Sequence, residues 1–271
     1  MNKVLARVIF YTVITFYAGL LVLPLLTLLS VSFRSDADVY NPSFLPPNPT
    51  LEAYSTALQK YPILRFIGNS FLISSLVTLG VLLISSCTGY ALARIASRVT
   101  NVLFGLIVGL LLVPNEVTFL PLYLMVNRLG WTDSYMALVL PFLASPIGIF
   151  LMRQFFKSLP QELFDAARLD GAGHLRMLWH IAMPLAMPAL GALAALTFLG
   201  TWNMYLWPLI VTNSQQLRTA QIALSYISSD ESVRYNLVAA AAVLILLPTL
   251  LAFLIAQRAF VRGIAMGSLK G

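Results

Sequence analysis

Residues 8–33 and 66–93 contain no Asp, Glu, Lys or Arg, and the same holds for 134–152, 177–217 and 235–257. A hydrocarbon layer about 30 Å thick needs about 20 apolar residues of helix to cross it, because backbone N–H and C=O groups in lipid must be paired within the segment. Uninterrupted runs of this kind, recurring along one chain, restrict it to an all-α membrane protein. Composition agrees: 59% of the 271 residues are apolar and 10% are charged, against about 25% charged in a soluble domain. Too few charges remain to coat a surface facing water. Disorder is excluded by the apolar content, and a disulfide-built secreted fold by the single Cys87, which reads as a small packing residue.

The pattern predicts six spans in a single transmembrane domain covering 1–271, at about 8–33, 66–93, 101–126, 134–152, 183–211 and 235–257. The third contains one charge, Glu116. The first is too long for a signal-peptide core and no small-x-small cleavage site follows it. Six spans place both termini on one side. With that side cytoplasmic, the inner segments hold Lys3, Arg7, Arg94, Arg98, Arg153, Lys157, Arg168, Arg176, Arg258, Arg262 and Lys270. The outer segments hold Arg34, Lys60, Arg65, Arg128, Arg218 and Arg234. Eleven cations against six satisfy the positive-inside rule for an N-in, C-in topology. The net charge of +7 is therefore a topology signal, and nucleic acid is not an expected partner.

Two connections are long. The outer one, 34–65, is rich in turn dipeptides (Asn41-Pro42, Pro46-Pro47, Asn48-Pro49) and reads as a stiff loop. The inner one carries SLPQELFDAARLDGAGHLRMLWHIAMP at 158–184. Ser158 with Gln161 suggests a capping box, Pro160 a first helical turn, and Gly171 a helix stop. A second short helix, 175–181, precedes Pro184. The local expectation is a helix–Gly–helix elbow lying on the membrane face. A plain polar loop is the alternative, but it leaves the small residues and the apolar second helix unexplained.

Asp165-Ala166-Ala167, Leu169-Asp170-Gly171-Ala172 and Ile181 to Pro184 closely resemble the EAA loop of binding-protein-dependent ABC importer permeases. LMRQFF at 151–156, VPNEVTFLPLY at 113–123, LGWTDSY at 129–135, TWNMYLWPL at 201–209 and FVRGIAMGSLKG at 260–271 extend the similarity to the carbohydrate-uptake class, which includes maltose and glycerol-3-phosphate permeases. The resemblance spans about 60–271. It implies a non-catalytic permease subunit forming half of a pore. The 158–184 loop would be its coupling helix, docking on an ATPase through Asp165, Ala166, Ala167, Leu169, Asp170, Gly171 and Ala172. Asp165 departs from the motif's Glu and is one methylene shorter, so a bond to the ATPase must be reached differently.

The implied partners are a second homologous permease, two ATPase subunits and an extracytoplasmic solute-binding protein, in the cytoplasmic (inner) membrane of a bacterium or archaeon. No GxxxxGK[ST] is present, so this chain is expected to be no enzyme and to hold no cofactor; ATP and Mg belong to the ATPases. His174 and His180 lack further ligands at metal spacing, and no metal site is expected.

Glu116 beside Asn115 is a candidate pathway carboxylate, since intramembrane acids usually face interior cavities; a structural interhelical bond is the alternative. Trp202, Asn203 and Tyr205 are candidates for stacking on and bonding to a sugar. Trp207-Pro208 suits an interfacial belt, and Asn69-Ser70 are placed to bond across helices. The expected solute is a sugar or oligosaccharide, with glycerol 3-phosphate or a glycerophosphodiester as the alternative. No basic side chain lies inside a span, which favours a neutral solute. An ion-coupled secondary transporter would need several intramembrane acids, and only Glu116 qualifies. A purely structural membrane subunit leaves the elbow unexplained.

Overall fold

The computed structural model describes residues 3–95, 97–230 and 234–268; the side chains of Asn115 and of 255–268 are among those outside that description. No strand occurs among the described residues. The helices run α1 (Lys3–Ser32), α2 (Glu52–Lys60), α3 (Ile63–Arg94), α4 (Arg98–Leu110), α5 (Asn115–Arg128), α6 (Tyr135–Val139) and α7 (Pro146–Ser158). Then follow α8 (Gln161–Leu169), α9 (His174–Met177), α10 (Met183–Leu185), α11 (Met187–Trp202), α12 (Leu206–Val211), α13 (Ala220–Asp230) and α14 (Tyr235–Ser268).

Among the described residues, three single helical segments are long and apolar enough to cross a bilayer: Arg7–Ser32, Ile63–Arg94 and Tyr135–Ser158. One bent pair, His174–Leu185 with Met187–Trp202, angled by 79°, is long and apolar enough when its two helices are taken together. The expected third span is two helices, α4 and α5. They part at residues 111–114, where Pro114 is extended (φ −60°, ψ 134°) and cannot donate a helical N–H. The fourth contains a 3₁₀ turn, Leu140–Phe142, before α7 restarts at Pro146 with Ser145 Oγ accepting from the Gly148 N–H at 3.1 Å. The fifth begins as a π-helical turn, Leu178–Ala182, bends between Pro184 and Pro188, and stops at Trp202. Proline is the common cause: a missing donor and a ring that clashes with the preceding turn.

The chain divides into two compact units. The first comprises residues 1–65 and 223–248. Here α1 exposes every side chain from Val8 to Leu26, as a lipid-facing helix does. Its outer loop is built around Arg34, which is 5% exposed and donates to the carbonyls of Asp38, Asn41 and Ser43. Asn236 Nδ2 donates to the Arg34 carbonyl and to Asp36 Oδ1 (3.0 and 2.8 Å), and Arg234 pairs with Asp36 at 3.0 Å. Lys60 pairs with Asp230 at 3.1 Å, and the buried Tyr61 hydroxyl donates to the same carboxylate. These two donors hold the Asp230 carboxyl below its ordinary range. The loop thus contains a helix, α2, that its turn-rich sequence hid.

The second unit, 66–222 with 249–271, holds the main core. Its axis is α3, whose buried face carries Ser70, Ser74, Thr78, Ser85, Ser86 and Gly89. A Cβ on Gly89 would lie 2.8 Å from the Arg153 backbone N, and one on Gly148 would lie 2.5 Å from Ser85 Oγ. Small residues let α3 and α7 approach closely, which is how helices associate where lipid is as apolar as the side chains. Asn69 bonds across elements as expected: its amide donates to the Gln216 and Arg218 carbonyls (2.8 and 3.0 Å) and it accepts from Tyr135 Oη at 2.9 Å. Ser70 Oγ accepts from the Ala220 N–H at 2.8 Å. Cys87 is exposed and not the packing residue expected.

Candidate coupling elbow and translocation cavity

Helix α8 ends where Gly171 adopts φ +78°, a conformation costly for any residue with a Cβ. The Gly171 N–H donates to the Arg168 carbonyl (3.0 Å) and the Ala172 N–H to the Ala167 carbonyl (2.9 Å), a Schellman C-cap. At the other end the expected capping box is absent: Ser158 closes α7 with Oγ donating to the Phe155 carbonyl at 2.8 Å, and Pro160 occupies the N-cap. The second arm is α9 followed by the π turn, close to the 175–181 expected.

One face of α8 is buried through Phe164 and Ala167. The rest is exposed: Asp165, Ala166, Leu169, Asp170 and Gly171, with Ala172 partly so. Leu169 is 91% exposed and Leu175 73%; Leu163 and Trp179 of the same elbow are exposed as well. Asp165 Oδ1 accepts from Arg168 Nη1 and from Gln161 Nε2, both at 3.1 Å, so its carboxylate is engaged within its own helix.

The buried face of α8 rests on an aromatic knot. The Arg94 guanidinium lies 3.8 Å from the Phe164 ring centroid. Tyr90 meets Phe156, Phe164 and His174 at centroid distances of 5.9, 6.2 and 6.2 Å. Arg153 on α7, 8% exposed, donates from Nε to the Leu92 carbonyl at 3.3 Å and lies 3.6 Å over Phe104. Sequence reasoning counted Arg94 and Arg153 for topology alone; their positions at the end of an otherwise charge-free run were the signal available.

Beside the breaks at 111–114 and 140–145, and against the second half of α11, a cavity of about 520 Å³ opens. Phe119, Phe142, Leu193 and Met204 line it, with Thr118, Ser145, Thr197 and Thr201 as its polar groups. None of its lining residues is charged. The pathway candidates from the sequence are not among them. Glu116 is exposed in the first turn of α5, where a carboxylate suits the helix dipole. The Asn115 side chain lies outside the described residues. Trp202 is 1% exposed and stacks on Phe198 at 5.9 Å. Asn203 caps α11, donating to the Leu199 carbonyl at 2.9 Å and accepting from Gln221 at 3.2 Å; Tyr205 is exposed. Trp207 is fully buried, donating to the Ala137 carbonyl at 3.0 Å between Phe119 and Phe142, and so is a core anchor, not a belt residue.

Sequence reasoning also missed Asp133. It holds φ +55°, and its Oδ1 accepts from the Asn213 and Ser214 N–H groups and from Ser214 Oγ, each at 3.0 Å. Those bonds, led by the Ser214 N–H, draw its carboxyl below the usual range.

Residues 62–266 match the family described as "Binding-protein-dependent transport system inner membrane component". The chain is 34% identical to the arabinooligosaccharides transport system permease protein AraQ of Halalkalibacterium halodurans over 264 residues, covering 94% of each. It is 40% identical to the sn-glycerol-3-phosphate transport system permease protein UgpE of Yersinia enterocolitica over 205 residues, 75% of this chain and 73% of that one. A bacterial ABC transporter involved in the import of the acidic polysaccharide alginate superposes with a TM-score of 0.86 at 22% identity, over 96% of this chain and 99% of that one, a likeness of fold. The chain belongs to the binding-protein-dependent transport inner-membrane components, and is a permease subunit of an ABC importer.

Proposed function

We propose that this subunit imports a neutral sugar or oligosaccharide, forming half of the pathway and taking its drive from an ATPase docked on the 158–184 elbow. The carrying observation is the elbow itself: a helix fixed on one face by Phe164 and Ala167 and closed by Gly171, with Leu169 and Leu175 projecting from it. Exposed leucines beside small residues suit the groove of another protein, since large exposed apolar groups mark interaction surfaces. Asp165, Ala166, Asp170 and Ala172 complete that docking surface; Ala167, expected among them from the sequence, is buried on the opposite face and holds the helix in place.

The assembly would contain this permease, a second homologous one, two ATPase subunits that bind ATP and Mg, and an extracytoplasmic binding protein facing the 34–65 loop. Chemistry at the nucleotide belongs to the ATPases. The chain would act as one domain with six crossings, N-in and C-in, in a bacterial or archaeal inner membrane. The charge-free cavity supports a neutral solute, and the name of the AraQ relative points the same way. Glycerol 3-phosphate or a glycerophosphodiester remains the second reading, supported by UgpE; its charge would then be met by the partner permease. Glu116, Asn115, Asn203 and Tyr205 would take a pathway role where the partner subunit brings solute to them; Trp202, buried against Phe198, would act only as packing behind them.

The test is the complex purified from its native membrane, reconstituted with its binding protein and assayed for ATP hydrolysis. Stimulation by an arabinooligosaccharide is expected. Stimulation by sn-glycerol 3-phosphate alone selects the second reading. Isolation of the chain without any ATPase, together with uptake driven by a proton or sodium gradient, would contradict both.

A further inference from the structure

We infer that Arg94 is the positioning residue that transmits movement of the elbow to the cavity wall, a role resting on the coupling reading above. Its Nη1 donates to Gln161 Oε1 at 2.6 Å; its Nη2 donates to the carbonyls of Phe156 and Leu159 at 2.6 and 2.9 Å. Its guanidinium also lies over the Phe164 ring, 3.8 Å from the ring centre. One side chain thus holds the end of α7, the link after it and the first turn of α8.

Those contacts matter because of the helix that carries them. Arg94 is the last residue of α3, which runs unbroken for 32 residues, about 48 Å. Val77 and Val81 on the same helix line the cavity. Two of the other walls are interrupted at proline-containing segments, 111–114 and 140–145, whereas α3 is continuous and has no proline inside it. A load applied to α8 therefore reaches the cavity through a rigid rod, and Arg94 is the fork gripping α8 at the rod's end. Arginine suits this place: its planar, permanently charged fork donates in several directions while stacking, which a lysine ammonium cannot do.

The experiment uses the complete importer in liposomes with its binding protein, reading solute taken up per ATP hydrolysed. The solute is the arabinooligosaccharide, or sn-glycerol 3-phosphate if that is what stimulates the complex. Arg94→Ala should keep the ATPase bound and basal hydrolysis within twofold of wild type, while uptake per ATP falls at least tenfold. Arg94→Lys, which still donates to carbonyls, should recover part of that ratio. Gln161→Leu, at an exposed position that does not threaten folding, should lower it two- to threefold. Wild-type uptake per ATP in Arg94→Ala overturns the proposal. So does loss of the ATPase from Arg94→Ala combined with a wild-type ratio in Gln161→Leu, which would make Arg94 a folding determinant alone. The coupling reading fails separately: Leu169→Arg would then leave ATPase retention and uptake intact.

Discussion

Helices α1 and α3 are nearly equal in length and in hydropathy, yet the apolar window of α1 is 0% buried and that of α3 is 39% buried. The difference lies in the small and weakly polar residues. From Val8 to Leu26, α1 presents Leu, Val, Ile, Phe and Tyr on every side. Helix α3 concentrates Ser, Thr and Gly on one side, and that side is the buried one. In water a helix buries its apolar stripe; in lipid, hydrophobicity is spent everywhere equally and close approach decides which face packs. Hydropathy therefore announces a crossing, while small residues announce a neighbour.

The sharpest test of that contrast compares two glycines. Gly89→Leu should cost about 3 kcal/mol, because the new side chain meets the Arg153 and Met152 backbone, which cannot swing aside. Thermal unfolding of the purified subunit in detergent should fall by several degrees. Gly19→Leu on α1, with nothing within 4 Å, should leave the midpoint where it was. An equal loss at both positions would dissolve the distinction. Next in size is Gly171→Ala in the elbow: open space surrounds the site, but the positive φ costs about 1–2 kcal/mol, and Gly171→Asn should cost less.

A smaller effect of opposite sign is expected on the buried face of α3. The hydroxyl of Ser74 is fully buried and has no hydrogen-bond partner, so Ser74→Ala should be neutral or stabilising by up to about 1 kcal/mol. A clear destabilisation would show that the hydroxyl is engaged. The smallest effect concerns acid. The folded-state carboxyl of Asp133 sits below its ordinary value, so its contribution is complete above about pH 4 and is lost as pH falls through the depressed value. Asp133→Asn keeps an acceptor and tolerates positive φ; it should flatten only that acid limb of the stability curve.

The elbow was legible in its punctuation, because glycine and proline act locally: the Gly171 stop and the short second helix both appear, while the expected Ser158–Gln161 capping box does not and Ala167 turns inward. The span interiors were legible as apolar lengths and not as shapes. Pro114, Pro141, Pro146, Pro184 and Pro188 punctuate those lengths, yet whether a proline kinks or divides a helix depends on what packs around the freed backbone groups. The same limit applies to Trp202 and Trp207. Their indoles fit a sugar face, a membrane interface or a core equally well by type, and burial separates those roles only once Phe198, Phe119 and Phe142 are seen around them. Arg94 was read for its sign and not for its fork, since its partners lie 62 to 67 residues away.

The most direct check on the account is at Leu169, the most exposed apolar residue of the elbow's first helix. In a Cys87→Ala background, Leu169→Cys should react freely with a water-soluble maleimide in the isolated subunit and at least tenfold more slowly in the assembled importer. Equal labelling rates in the two states, with the ATPase demonstrably bound, would contradict docking at this elbow.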